Sequence, residues 1–119
     1  MKHKKALSLT FGLALAIPIV FLSGQALAFD AEAAKTTARQ NNCFRCHSVD
    51  KEKDGPTYRS VGNKYKDKDH AAAQTRLIEH ITSGEKAKFP DGHEEEHKII
   101  NTKDVNEQKN LVDWILSLR

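Results

Sequence analysis

Residues 43–47 read Cys-Phe-Arg-Cys-His and hold both cysteines of this 119-residue chain together with one of its six histidines. That crowding limits what the chain can fold into. A bridge between Cys43 and Cys46 would close so small a loop that it would barely restrict the unfolded chain, so a disulfide cannot staple the fold. A staple is needed, because the foldable part is short. Residues 1–28 read as a secretory leader: Lys2, Lys4 and Lys5 open it, an apolar run follows from about Ala6 to Leu22, and Ala26-Leu27-Ala28 closes it with small residues. The run is short for a membrane span, so cleavage after Ala28 is expected, with no stable membrane insertion afterwards. No cysteine stands near the cleavage point, which argues against lipoprotein processing. Residues 29–119 then form one small domain, of a size that seldom builds a sufficient apolar core alone.

Charge narrows the partners. The chain has 19 Lys and Arg against 16 Asp and Glu, and the leader carries three of the basic residues and none of the acidic ones, so what remains is balanced. The pI near 8.9 belongs to the whole chain, and a balanced domain offers nothing to nucleic acid. Local asymmetry persists. Arg45, Lys51, Lys53, Arg59, Lys64, Lys66 and Lys68 gather in the first half, whereas Asp91-Gly92-His93-Glu94-Glu95-Glu96-His97 is acidic. Such runs usually make a solvated surface; otherwise they steer a charged partner.

Three helices are expected. The first spans about Asp30 to Asn41, capped by Asp30, with Ala31, Ala34 and Ala38 as a small-residue stripe. The second spans about His70 to Ser83, with Ala73, Leu77, Ile78 and Ile81 on one face and Gly84 at its end. The third spans about Asp104 to Leu118, opened by an Asp104/Glu107 capping box. Leu111, Val112, Ile115, Leu116 and Leu118 form its apolar stripe, flanked by Trp114. Gly55-Pro56 and Phe89-Pro90-Asp91-Gly92 break the chain between them. No alternating strand pattern of useful length and no internal repeat appear, so the class is all-α. Three short helices with long loops call for a bulky apolar filler.

Cys43-x-x-Cys46-His47 supplies one. Cys-x-x-Cys-His is the attachment pattern of c-type haem. Two thiols two residues apart reach the two vinyl groups of one macrocycle and form thioethers. The next histidine then falls beneath the iron as a ligand. Two rivals are weaker. A redox-active Cys-x-x-Cys wants a βαβ context. A zinc site joining the cysteines to His93 and His97 needs a gap of about 46 residues, beyond zinc-finger spacing. His93-Glu94-Glu95-Glu96-His97 also matches H-E-x-x-H, but that zinc-peptidase pattern works on a helix, and here it follows Pro90 and Gly92 in a loop.

With these residues in view, the chain resembles a class I cytochrome c over nearly all of residues 29–119. The resemblance rests on a helix leading into Cys43-x-x-Cys46-His47, on Gly55-Pro56, and on Arg76–Gly84 and Asn110–Leu118 as middle and last helices. It implies a small all-α fold in which three main helices and loops wrap one covalent haem c, with the first and last helices crossing. It implies that the Pro56 carbonyl accepts a hydrogen bond from the His47 ring and tunes the iron. The sequence departs from the family at the sixth ligand, ordinarily a methionine before the last helix. The only methionine is Met1. Counting back from Asp104 to the family's methionine position reaches Lys98, next to His97. His97 is therefore the expected distal ligand, with His93 as the alternative. His70 and His80 read better as exposed helix histidines. Lys98, water or an open site remain possible sixth partners.

The expected function is that of a periplasmic monohaem one-electron carrier, not an enzyme, with His47/His97 ligation. It would act as a monomer that meets redox partner proteins through Lys and Arg of residues 45–68. The alternatives are a haem-based binder or sensor of CO or NO with a displaceable distal ligand, and a haem subunit of a larger respiratory oxidoreductase.

Overall fold

A computed structural model describes residues 12, 17–19 and 28–119. The leader expected at residues 1–28 falls almost entirely outside them. Helix α1 (Ala31–Gln40) starts where Asp30 accepts a hydrogen bond from the Ala33 amide at 2.9 Å. It ends at Asn41, a buried residue with a tertiary task. The Asn41 side chain donates to Thr37 O at 2.8 Å and accepts from the Asn101 amide at 2.7 Å, tying the end of α1 to the loop before the last helix. Asn42 then takes a left-handed conformation (φ 56°), which asparagine tolerates better than most residues, and the chain turns into a 3₁₀ turn over Cys43–Arg45.

The next helix is not among the three expected. α2 (Tyr58–Lys64) is capped by Thr57, whose hydroxyl accepts from the Ser60 amide at 3.0 Å. Gly62 inside it makes the sequence read as loop, since glycine disfavours a helix interior. The structure gives the reason for the glycine: a Cβ there would overlap the Leu118 carbonyl oxygen and lie 2.8 Å from that of Ile115. Helix α3 (His70–Thr82) is capped by Asp69 and leaves through Ser83 to Gly84, at φ 72°.

A short antiparallel hairpin follows, where the sequence shows no strand pattern. β1 (Lys86–Lys88) pairs with β2 (Glu94–Glu96) in the register Lys86↔Glu96, Ala87↔Glu95, Lys88↔Glu94. Three residues are too few for alternation to be legible. Opposite charges facing each other at both ends of the ladder favour this pairing. The His93–His97 segment is thus built around a strand rather than a helix.

Helix α4 (Val105–Ser117) is capped by Asp104, which accepts from the Asn106 amide at 2.8 Å rather than from Glu107 as a capping box requires. α1 and α4 pack together, as the stripes imply. Ala34 and Ala38, both fully buried, admit Leu111, Trp114 and Ile115 closely. Asn110 locks the crossing by accepting from the Asp30 amide (2.7 Å) and donating to its carbonyl (2.9 Å). Trp114 lies inside this cluster rather than beside it. The opposite face of α4 packs Val112 and Leu116 on Ala73 of α3. Among the described residues the fold is mainly α, with four α-helices, one 3₁₀ turn and one hairpin.

Candidate functional site

Between the Cys43–His47 turn and α2 on one side, and α3 and the hairpin on the other, lies a cavity of about 780 Å³. The turn is wound helically: the amides of Cys46 and His47 both donate to Cys43 O, at 3.2 and 3.0 Å. Cys43 and Cys46 therefore stand one turn apart on the same side, with His47 beside them, and all three line the cavity. Burial pushes the Cys43 thiol pKa up, whereas Cys46 is exposed.

His47 is gripped from several directions. Its Nδ1–H donates to the Pro56 carbonyl at 2.7 Å, which leaves Nε2 with a free lone pair. Tyr58 stacks on the ring with centres 5.2 Å apart and 18° between planes, and Trp114 of α4 meets Tyr58 edge-on at 5.6 Å. Burial and then the nearby Cys43 push the Tyr58 hydroxyl far above its ordinary pKa, so it stays neutral. Gly55 is required here for space: a Cβ would come within 2.5 Å of the His47 ring. Burial also lowers the His47 pKa, keeping the ring in the neutral form that binds metal.

His97 follows β2 and faces His47 across the cavity. The two ring centres are 6.1 Å apart, with 45° between planes. His97 Nδ1–H donates to the Lys98 carbonyl at 2.9 Å, again leaving Nε2 free. Burial, then the closeness of a second imidazole, that of His80, lower its pKa.

His93 is handled differently. Both ring nitrogens are engaged, Nδ1 by Asp91 and Nε2 by Glu95 at 3.2 Å, and the ring stacks on Phe89 at 4.4 Å. It does not line the cavity that holds His47 and His97. The Asp91 carboxylate raises the His93 pKa, and His93 lowers that of Asp91 in return. The folded-state pKa of His93 exceeds its unfolded value near 6.5. Its stabilising contribution is therefore complete below that value and is lost as pH rises through the folded pKa. A proton NMR titration should show His93 titrating above an ordinary histidine, and Asp91→Asn should bring it down.

His70 is taken up by the fold: its Nε2 meets Asp113 of α4 at 2.9 Å. Of the expected basic docking group, Arg45 and Lys64 border the cavity. Arg59 is instead spent internally, on Asp50 at 2.5 Å and on the Arg119 carbonyl at 2.6 Å. Lys86 and Lys88 also line the cavity and escaped the sequence reading, whereas Lys98, which lines it too, was weighed there as a sixth partner. Lys86 and Lys88 enter through the hairpin, which has no legible signal.

The family model for cytochrome c matches residues 31–119. The chain belongs to the cytochrome c family. The crystal structure of the class 1 cytochrome MtoD from Sideroxydans lithotrophicus ES-1 superposes with a TM-score of 0.72 at 66% identity, covering 76% of this chain and 98% of that one. Cytochrome c-552 of Nitrosomonas europaea is 36% identical over 89 residues, 75% of this chain and 82% of the relative. Its wild-type crystal structure superposes with a TM-score of 0.58 at 33% identity, covering 71% of this chain and 99% of that one. This is a class I monohaem c-type cytochrome, and the group it carries is one covalently bound haem c with iron. Its residues fit that group. The cavity is of cofactor size, Cys43 and Cys46 present two sulfurs on one wall, and His47 offers a neutral, oriented Nε2. Like its relatives, this cytochrome is an electron carrier that works with redox partners.

Proposed function

We propose that this cytochrome is a periplasmic one-electron carrier, not an enzyme, whose iron is held by His47 on one face and His97 on the other. One observation supports the ligand pair above all: the 6.1 Å between their ring centres. A metal–imidazole bond is about 2.0 Å and the ring centre lies about 1.1 Å beyond the nitrogen, so two imidazoles on opposite sides of one ion need roughly 6.2 Å. Each ring also has its Nδ1–H committed to a backbone carbonyl, which leaves the other nitrogen of each with a free lone pair. His93, with both nitrogens tied to carboxylates, has no such lone pair to offer.

Haem supplies a ferric/ferrous couple, and the chain does the rest. Cys43 and Cys46 anchor the macrocycle edge. The Pro56 carbonyl holds the His47 tautomer and strengthens its basicity. With His47 and His97 both holding the group, its coordination would change little between oxidation states and no position would be left for a substrate. The ferrous protein should show no spectral change under CO. A carbonyl adduct forming readily would favour gas binding over electron carriage.

The exposed Cys46 side of the cavity, bordered by Arg45 and Lys64, is the docking edge for an acidic patch on a partner protein. Electron-transfer rates with such a partner should fall severalfold between low and physiological salt; a rate independent of salt would remove this assignment. The carrier acts as a monomer. The leader, residues 1–28, is removed after Ala28, and residues 29–119 are the mature domain. Asp30 already caps α1, so the cleavage point lies just outside the folded part. An intact mass beginning at Phe29 checks this directly.

A further inference from the structure

His80 is the one cavity histidine that the ligand pair leaves unused. The sequence reads it as an exposed helix residue, yet it lines the cavity with His47 and His97, and its ring centre is 4.3 Å from that of His97. It is also oriented. The His80 Nδ1–H donates to the Glu85 carboxylate, and Arg76, one turn earlier on α3, donates to the same oxygen at 2.7 Å. That carboxylate thus holds the His80 ring from the side away from Nε2, and in the neutral ring Nε2 keeps its lone pair. His70 on the same helix shows the contrast: its Nε2 is consumed by Asp113 and it does not line the cavity.

The two neighbouring histidines sit on supports of different rigidity. His80 belongs to a thirteen-residue helix that packs on α4 through Ala73. His97 lies just past a two-stranded hairpin whose β2 residues are all exposed, and such a hairpin is marginal on its own. Rings 4.3 Å apart cannot both bind one ion from the same side, so the space His97 vacates adjoins the His80 ring.

We propose that His80 is a reserve distal ligand: when His97 leaves the iron, the His80 imidazole takes its place, so the haem remains six-coordinate and small molecules are denied the site. This rests on the His47/His97 reading. A second imidazole within a ring's width lets the hairpin open, for example while a partner docks against it, without exposing the iron to competing ligands.

The test uses matured holoproteins and low-temperature EPR of the ferric state, with CO added to the ferrous state. Wild type and His80→Ala should both give a low-spin bis-imidazole signal. His97→Ala should retain such a signal, and so should His97→Ala/His93→Ala. His97→Ala/His80→Ala should lose it, turn high-spin and bind CO. A high-spin His97→Ala protein beside a bis-imidazole wild type would overturn the reserve role alone. Low-spin signal surviving in His97→Ala/His80→Ala would assign the rescue to another group and overturn it too. Loss of the signal in His80→Ala would make His80 the primary ligand, and a wild type without a bis-imidazole signal would overturn the ligand pair; the reserve role falls with either. Should the alanine variant fail to mature, His97→Gln, closer in size and polarity, carries the same comparison.

Discussion

In a His80→Ala background, where no second imidazole competes, His97→Met should raise the reduction potential of the matured protein by on the order of 0.1–0.2 V. Imidazole is the stronger donor to ferric iron, whereas a thioether favours the ferrous state, so the exchange shifts the couple towards reduction. The site accommodates the change: His97 is only half buried, at the end of a surface hairpin, and methionine is flexible enough to fill an irregular gap. Potentiometric titration with optical detection measures the shift, and a sulfur-to-iron charge-transfer band near the red end of the ferric spectrum should accompany it. His93→Met is the matched control. It lies four residues earlier with both ring nitrogens on carboxylates, and its substitution should leave the potential unchanged. If His93→Met moves the potential and His97→Met does not, the distal assignment passes to His93.

Gly62→Val should be the most damaging substitution outside the haem ligands. Here a side chain meets backbone rather than another side chain. A Cβ at position 62 overlaps the carbonyl oxygen of Leu118 and approaches that of Ile115. Both carbonyls belong to the C-terminal end of α4, which cannot yield without disturbing Ile115 and Trp114 in the core. Helix α2 must therefore back away, loosening Tyr58 from Trp114 and so the stack on His47. The expected loss is about 3 kcal/mol, which for a domain of this size lowers the thermal midpoint by roughly 10–20 °C. Calorimetry of the holoprotein measures it. Val61→Ala, one residue away and only partly buried, should cost clearly less.

These two positions show where the sequence speaks plainly and where it does not. Helices α1 and α4 were legible because each joins an aspartate cap to a small-residue or apolar stripe at helical spacing, and α3 because its apolar face runs to a terminal Gly84. The Cys43–His47 cluster was legible because thioether formation and iron ligation demand those residue types at that spacing. Pro56 and His97 came through resemblance to the family and the absence of a methionine outside the leader, and both are found beside the cavity that holds the cysteines. Helix α2 was hidden because Gly62 answers to a helix–helix approach far away in the chain, and intrinsic propensity then points the wrong way. The hairpin was hidden because its ladder is three residues long and rests on cross-strand charge pairs that only the register reveals. His80 was read as surface for a related reason: helical spacing gives the face a residue occupies, but not that the hairpin brings His97 against that face.

Low-temperature EPR of the ferric wild-type holoprotein tests the central claim most directly, that two histidines hold the iron of this carrier. The account predicts a low-spin signal characteristic of two imidazole ligands, from His47 and His97. A high-spin signal, showing the sixth position open or water-bound, would contradict it and turn the function towards binding small ligands at the haem.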